Sequence, residues 1–382
     1  MHFNDVLGQT HLKNHLLKSV ENNRIPHAQL FVGSVGSGIL PMAIAYAQAI
    51  LTSQYQPGSV EEAACIQKVT KLAHPDLHFS FPMNTTDNVK KNPVSSFFLE
   101  EWRSFVNTQP YGSLYEWLEA LGIDKKQGNI GVDEAKEISK TLIHKPFEGG
   151  YQVMVVWMAD RMNTEASNKI LKLIEEPPKN TIILLLTEKE EMILGTIRSR
   201  CQKLQFPALP DSEILKYLTD NENVDVKKAT KVSKLAHGNL NIALQLLNEE
   251  GDDLQFEKWF VEWVRTAFKA KGNKAAINPL LQWSIDLASQ NRETQKKFLA
   301  YCSTTFRQAM LKNYSADSLI YFDAPATGFS IEKFAPFIHQ NNIVKIFEAL
   351  EEATYHVSRN GNGKIIFTDL SIKLTRLIHA KS

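Results

Sequence analysis

Eight residues constrain this chain more than any other stretch: Gly33-Ser34-Val35-Gly36-Ser37-Gly38-Ile39-Leu40. They keep the spacing of a phosphate-binding loop, G-x-x-x-x-G-K-[ST]. In such a loop the glycines let backbone N–H groups cradle phosphates, the Lys reaches the β/γ-phosphates and the hydroxyl holds Mg²⁺. Gly33 and Gly38 stand at the required positions with Gly36 between them, but the Lys position is Ile39 and the Ser/Thr position is Leu40. A loop that keeps the bend and loses both the charge and the metal ligand predicts an ATPase scaffold that does not hydrolyse ATP, with no cofactor and no metal. The bland alternative is a tight turn that owes its glycines to backbone geometry alone.

The flanks favour the loop. Residues 27–32 form a short, mostly apolar run ending in Gly, as a buried strand does. Residues 40–52 are apolar and Ala-rich, with Pro41 in the first turn, where a missing N–H costs little. Strand, Gly-rich loop, helix is the setting a phosphate-binding loop requires.

A chain of 382 residues allows two or three domains. Net charge is +1, so no global basic field advertises nucleic-acid binding. The opening residues lack the charged and apolar regions of a signal peptide, and no apolar run is long enough to span a bilayer. Cys65, Cys201 and Cys302 are scattered and odd in number, which suits a reducing compartment. A cytoplasmic protein with no membrane partner is expected.

Up to about residue 208, strand-like and helix-like segments alternate. Helical patterning covers 12–22, 132–142 and 165–174, the last capped near Asn163 or Thr164 and stopped by Pro177-Pro178. Buried strands are expected at 152–158 and 181–186, and 55–82 reads as irregular. The alternation implies a mostly parallel sheet covered on both faces. Residues 83–128 carry Phe97, Phe98, Trp102, Phe105, Tyr111, Tyr115 and Trp117 between prolines and glycines. So many aromatics read as a packed insertion, with an aromatic partner surface as the alternative. After 207–210 the pattern turns helical: short segments at 212–218, 226–236 and 240–247, a turn-prone acidic boundary at 248–253, then longer helices at 256–270, 278–289, 293–312, 331–355 and 368–379.

Four stretches together resemble the AAA+ clamp-loader family of bacterial DNA polymerase III. They are Phe3-Asn4-Asp5-Val6-Leu7-Gly8-Gln9, Arg24-Ile25-Pro26-His27-Ala28, Asn168-Lys169-Ile170-Leu171-Lys172-Leu173-Ile174-Glu175-Glu176-Pro177-Pro178, and Thr196-Ile197-Arg198-Ser199-Arg200-Cys201, which ends in the family's Ser-Arg-Cys signature. The resemblance covers residues 1 to about 210; beyond that it rests on helical architecture. It implies an α/β P-loop AAA+ domain with a mostly parallel sheet at 1–208, a small helical lid at 209–252 and a helical collar at 253–382. It also implies a place beside gamma/tau and delta subunits in a complex that loads a sliding clamp onto primed DNA. Arg200 would act in trans on a neighbour's ATP; an ion pair within its own domain is the alternative, and Arg198 is a competing residue two positions away.

The departures from the family select a subunit type without a working ATP site. By analogy, the strand-end Asp-Glu of active members falls on Trp157 and Met158, with Asp160 two places late. The lid's Gly-x-x-Arg looks like Gly238-Asn239-Leu240-Asn241, with Asn241 in place of the Arg. Thr187 sits where the family has a sensor residue, or is simply strand-end chemistry. Many relatives carry a four-cysteine zinc module after the P-loop helix; here that region has Cys65, with His74 and His78 nearby, too few for a tetrahedral structural site. Lys136 could touch a DNA phosphate, or be a solvated helix-face lysine. Two rival readings are an unusual ATP-binding AAA+ protein of replication or repair, and a stand-alone nucleic-acid-binding module.

Overall fold

Continuous apolar runs bounded by Gly, Pro and Asn build a five-stranded parallel sheet: β1 (Ala28–Val32), β2 (Leu77–Ser80), β3 (Gln152–Val156), β4 (Thr181–Thr187) and β5 (Gln202–Gln205). The order is β2-β3-β4-β1-β5. In register, Leu30 lies opposite Leu185, and Met154 opposite Ile183. Every residue of β1, β3 and β4 is buried, as a parallel sheet covered on both faces requires. The computed structural model describes residues 1–124, 126–248, 252–316 and 327–380. They fall into two compact units, Met1–Leu247 and Asn248–Ser382.

In the first unit the helices are α1 (Thr10–Glu21), α2 (Ile39–Thr52), α3 (Val60–Thr70), α4 (Leu99–Thr108), α5 (Leu114–Ala120), α6 (Val132–Ile143), α7 (Thr164–Glu175), α8 (Gly195–Arg198), α9 (Asp211–Asp220), α10 (Val226–Leu235) and α11 (Leu240–Asn248). Helix α2 is apolar nearly all round and buried nearly all round, which marks a central helix. Helix α7 starts where the sequence places it: the Asn163 side chain accepts the Ala166 N–H at 2.8 Å. Helices α9 to α11 close over a small apolar core around Ile214, Leu218, Ala236 and Leu240, which Tyr111 joins.

Two sequence expectations fail here, and one strand has no counterpart among them. Residues 55–82 are not irregular; they hold α3 and β2. The α3 stretch mixes apolar and charged residues with little contrast between faces, and β2 spans four residues, so neither period was legible. The strand expected to reach residue 158 stops at Val156, because Met158 turns into the left-handed region, φ 53°. Edge strand β5 is three-quarters polar and went unseen.

The second unit is helical: α12 (Asp252–Ala270), α13 (Ile277–Ala288), α14 (Arg292–Asn313), α15 (Ile331–Phe334), α16 (Ile343–Ser358) and α17 (Gly363–Leu377). Its core is aromatic: Trp263 and Trp283 stack at 5.0 Å, and the Trp263 indole N–H donates to Ser371 Oγ at 2.9 Å. The single helix expected at 331–355 is broken. Pro336 supplies no N–H, and Asn342 diverts the local backbone, accepting from His339 N at 2.9 Å and donating to Phe337 O at 2.8 Å. Of the boundary expected at 248–253, residues 249–251 lie outside the described residues.

Candidate functional site

The site lies at the carboxyl ends of three neighbouring strands, where open parallel sheets place their ligand crevices. Ser34, Val35, Gly36 and Gly38 follow β1, Trp157 and Met158 follow β3, Thr187 ends β4 and Glu188 comes next; all line one cleft. The lining is mixed: Ser34, Thr187 and Glu188 are polar, while much of the rest is apolar. Leu40 is 4% exposed, Trp157 4% and Met158 6%, and all three belong to the core between the sheet and α2. Ile39 packs against the same core. Leu40, Trp157 and Met158 are thus interior hydrophobes.

Residues of the 83–128 segment pack behind and beside this cleft. Trp157 lies 5.2 Å from Trp102 and 5.9 Å from Phe105, ring to ring; both of the latter come from α4. Tyr111 and the turn Pro110–Gly112 form the outer wall. Tyr111 is buried, its hydroxyl accepts the Leu7 N–H at 2.8 Å, and burial pushes its pKa up to about 12. The cleft keeps a water-accessible volume of ≈30 Å³, room for about one or two waters by that measure. Of the seven aromatics expected to pack, Trp102 and Trp117 are fully buried and Phe98, Phe105 and Tyr111 nearly so, whereas Tyr115 is half-buried and Phe97 is exposed.

Asp160 is not a free ligand. Its Oδ1 accepts from Thr187 Oγ1 at 2.9 Å and its Oδ2 lies 3.4 Å from Arg161 Nε. Thr187 Oγ1 in turn accepts the Lys189 N–H at 3.1 Å. Sequence reasoning missed Glu188. It lines the cleft, and its Oε1 is buried without a hydrogen-bond partner among the described residues. Burial first, then the Asp160 charge, raise its pKa to about 7. A carboxyl held up by folding is protonated in the folded state while its unfolded counterpart ionises. Its contribution to stability therefore falls as pH rises from about 4.5 to about 7. Glu188→Gln is expected to abolish that fall and to stabilise the protein by about 1–3 kcal/mol above pH 7, with little effect below pH 4. Urea midpoints measured across the range check this; equal slopes in both proteins would refute it.

Arg200 sits apart from this cleft. Helix α8 ends at Arg198, and Ser199-Arg200-Cys201 turns the chain into β5. Cys201 is buried with Ile197 and Ile193, and burial pushes its thiol up to about 12. It anchors the turn as a small hydrophobe. Arg200 and Ser199 are exposed. The Arg200 guanidinium pairs with Glu175 Oε1 at 2.9 Å and donates to Thr196 O at 3.1 Å. Both side chains of that pair are at least 40% exposed, and exposed pairs contribute about 0–1 kcal/mol. The guanidinium can therefore change partner at little cost. Lys136 is an exposed residue of α6 that pairs with Asp133 of its own helix at 2.6 Å.

The segment after α2 brings together Cys65, His74 and, across 74 residues from the histidine, Glu148. The donor set does not fit a structural zinc. His74 Nδ1 accepts the Asp76 N–H at 3.1 Å. The neutral ring therefore carries its proton on Nε2, which donates to Glu148 Oε2 at 3.0 Å and has no lone pair for a metal. Glu148 is already taken: Tyr55 OH donates to Oε2 at 2.9 Å and Lys68 pairs with Oε1. Burial pulls its pKa up, but the Lys68 and Tyr55 bonds outweigh that and hold it below the ordinary range. Burial, then the Glu148 charge, push Cys65 up to about 11, so it stays a thiol. Half-buried His78 lies outside this cluster. Elemental analysis of purified protein is expected to find no stoichiometric zinc; one zinc per chain would overturn this account.

The family model described as DNA polymerase III, delta subunit, matches residues 8–210. The delta prime subunit of Bacillus subtilis is 27% identical over 199 residues, 52% of this chain and 47% of that protein. The delta prime subunit of Escherichia coli is 26% identical over 205 residues, 54% of this chain and 58% of that protein. The tau/gamma subunit of Haemophilus influenzae is 24% identical over 252 residues, 65% of this chain and 30% of that protein. The chain thus spans about half the length of the delta prime relatives it matches.

Proposed function

The chain belongs to the DNA polymerase III delta-subunit family, as a delta prime-like member related to clamp-loader subunits, and on that premise we propose that it is a non-hydrolysing subunit of a clamp loader. In this reading it takes its place beside gamma/tau and delta subunits, helps load a sliding clamp onto primed DNA, and offers Arg200 to the ATP of a neighbour. One observation carries the reading: Leu40, Trp157 and Met158, where a nucleotide and its metal would need a hydroxyl and carboxylates, are interior hydrophobes around a nearly filled cleft. No lysine lines that cleft among the described residues. The exposed, weakly held Arg200 on a turn anchored by Cys201 supports the second half. An arginine finger works on the γ-oxygens of a neighbour and needs no nucleotide site in its own chain.

Titration calorimetry of the isolated chain with ATP and Mg²⁺ is expected to show no binding in the micromolar range. Mixed with a gamma/tau-type subunit, the chain is expected to co-elute with it. Micromolar ATP affinity would instead favour the ATP-binding alternative, and failure to co-elute would remove the assembly role.

A further inference from the structure

Helices α9 to α11 are joined to the P-loop domain by contacts that the chain makes with itself. At the start of α11, Leu240 N donates to Gly36 O at 3.3 Å. Gly36 has φ +72°, and a Cβ there would lie 2.0 Å from Asn239 Oδ1. The glycine kept in the loop makes room for the lid. Along the same helix, Asn241 Nδ2 donates to Glu116 Oε2 at 2.7 Å. Gln245 Nε2 donates to Glu116 Oε1 at 2.9 Å and to Asn241 Oδ1 at 2.7 Å. Glu116 belongs to α5, inside the aromatic insertion, and the same carboxylate caps its own helix by accepting from Ser113 N and Ser113 Oγ at 2.7 and 2.8 Å. Tyr111, from the turn before α5, is buried among the lid residues Leu209, Leu240 and Ala243 while also lining the cleft.

We propose that the insertion is a built-in latch: Glu116, with Tyr111 beside it, holds the helical lid on the P-loop domain so that the lid's position does not depend on a bound ligand. A lid that responds to a ligand must gain differential contacts when the ligand arrives. Here a negative charge that grips the lid is already part of the chain, and bonds to an ionised acceptor are the stronger kind. A tethered group also acts at an effective concentration that a free ligand rarely matches. The latch gives the 83–128 segment a task beyond packing against the cleft, and it holds whether or not Arg200 acts on a neighbour.

Hydrogen exchange of the full chain, with and without ATP and Mg²⁺, tests it. In the wild type, amides 240–247 are expected to exchange equally slowly in both conditions. The double variant Asn241→Ala/Gln245→Ala leaves the α5 cap intact and is expected to speed exchange at 240–247 by about tenfold or more, with β3 and β4 unchanged. Glu116→Ala is expected to do the same and also to loosen 113–117. Should that variant fail to fold, the double variant decides; should both fail, Gln245→Ala alone, at a half-buried position, gives the same readout in smaller measure. Unchanged protection of 240–247 in the variants, or protection in the wild type that rises on adding ATP, overturns the latch.

Discussion

Arg200→Ala is expected to leave this chain folded and able to assemble, and to lower hydrolysis at one neighbouring ATP site by up to about a thousandfold, the lower end for arginine fingers. The folded state should barely notice the change. Arg200 is exposed, its pair with Glu175 is solvent-washed, and the turn is held by backbone bonds to Ile197 O and by buried Cys201 rather than by the guanidinium. The neighbour should notice it. The phosphoryl-transfer transition state spreads negative charge over the γ-oxygens, and the fixed charge and fork geometry of Arg suit it where Lys does not. Arg200→Lys is therefore expected to recover only a small part of the rate. The measurements are assembly by size-exclusion chromatography, steady-state hydrolysis and clamp loading of the reconstituted complex. A variant complex that assembles normally and hydrolyses at the unmutated rate reduces Arg200 to a surface ion pair. Arg198→Ala in parallel separates the two arginines.

The second large effect is on stability. Trp102→Ala is expected to cost about 3–5 kcal/mol, the range for truncating a large buried aromatic. Trp102 is fully buried, stacks on Phe81 at 4.4 Å, and meets Trp117 and Trp157 at 5.2 Å. Removing the ring leaves a void bounded by other rings that cannot all move inward. The indole N–H is buried with no acceptor among the described residues, so Trp102→Phe removes an unmade bond along with some volume and should cost much less than the Ala variant. Denaturant midpoints with unchanged slopes give both numbers. A loss under about 1 kcal/mol for the Ala variant would mean that the aromatic cluster is not what holds the insertion in the cleft.

Much of the scaffold was legible because its signals are local. Strand, glycine loop and helix follow one another within 25 residues, and each is specified by spacing, by continuous apolar runs and by caps such as Asn163. The loss of Lys and hydroxyl at Ile39 and Leu40, and the presence of Ser199-Arg200-Cys201, are read directly from residue identity. The missed elements had weak local signals: polar edge strand β5 and the short segments at 60–80 depend on a neighbouring strand or helix for their definition.

What only the tertiary structure decided is which distant side chains meet. Glu116 reaches Asn241 across 125 residues and Glu148 reaches His74 across 74. Trp102 backs Trp157, and Glu188 loses water beside Asp160. None of these pairings leaves a periodic trace, because each joins residues distant in sequence that meet only in the folded chain. The sequence by itself determined that Ile39 and Leu40 stand where a phosphate-binding loop has its Lys and hydroxyl; the long-range packing determined that Leu40, Trp157 and Met158 are interior, that His74 and Glu148 are bonded to each other and to their neighbours, and that Glu116 meets Asn241 and Gln245.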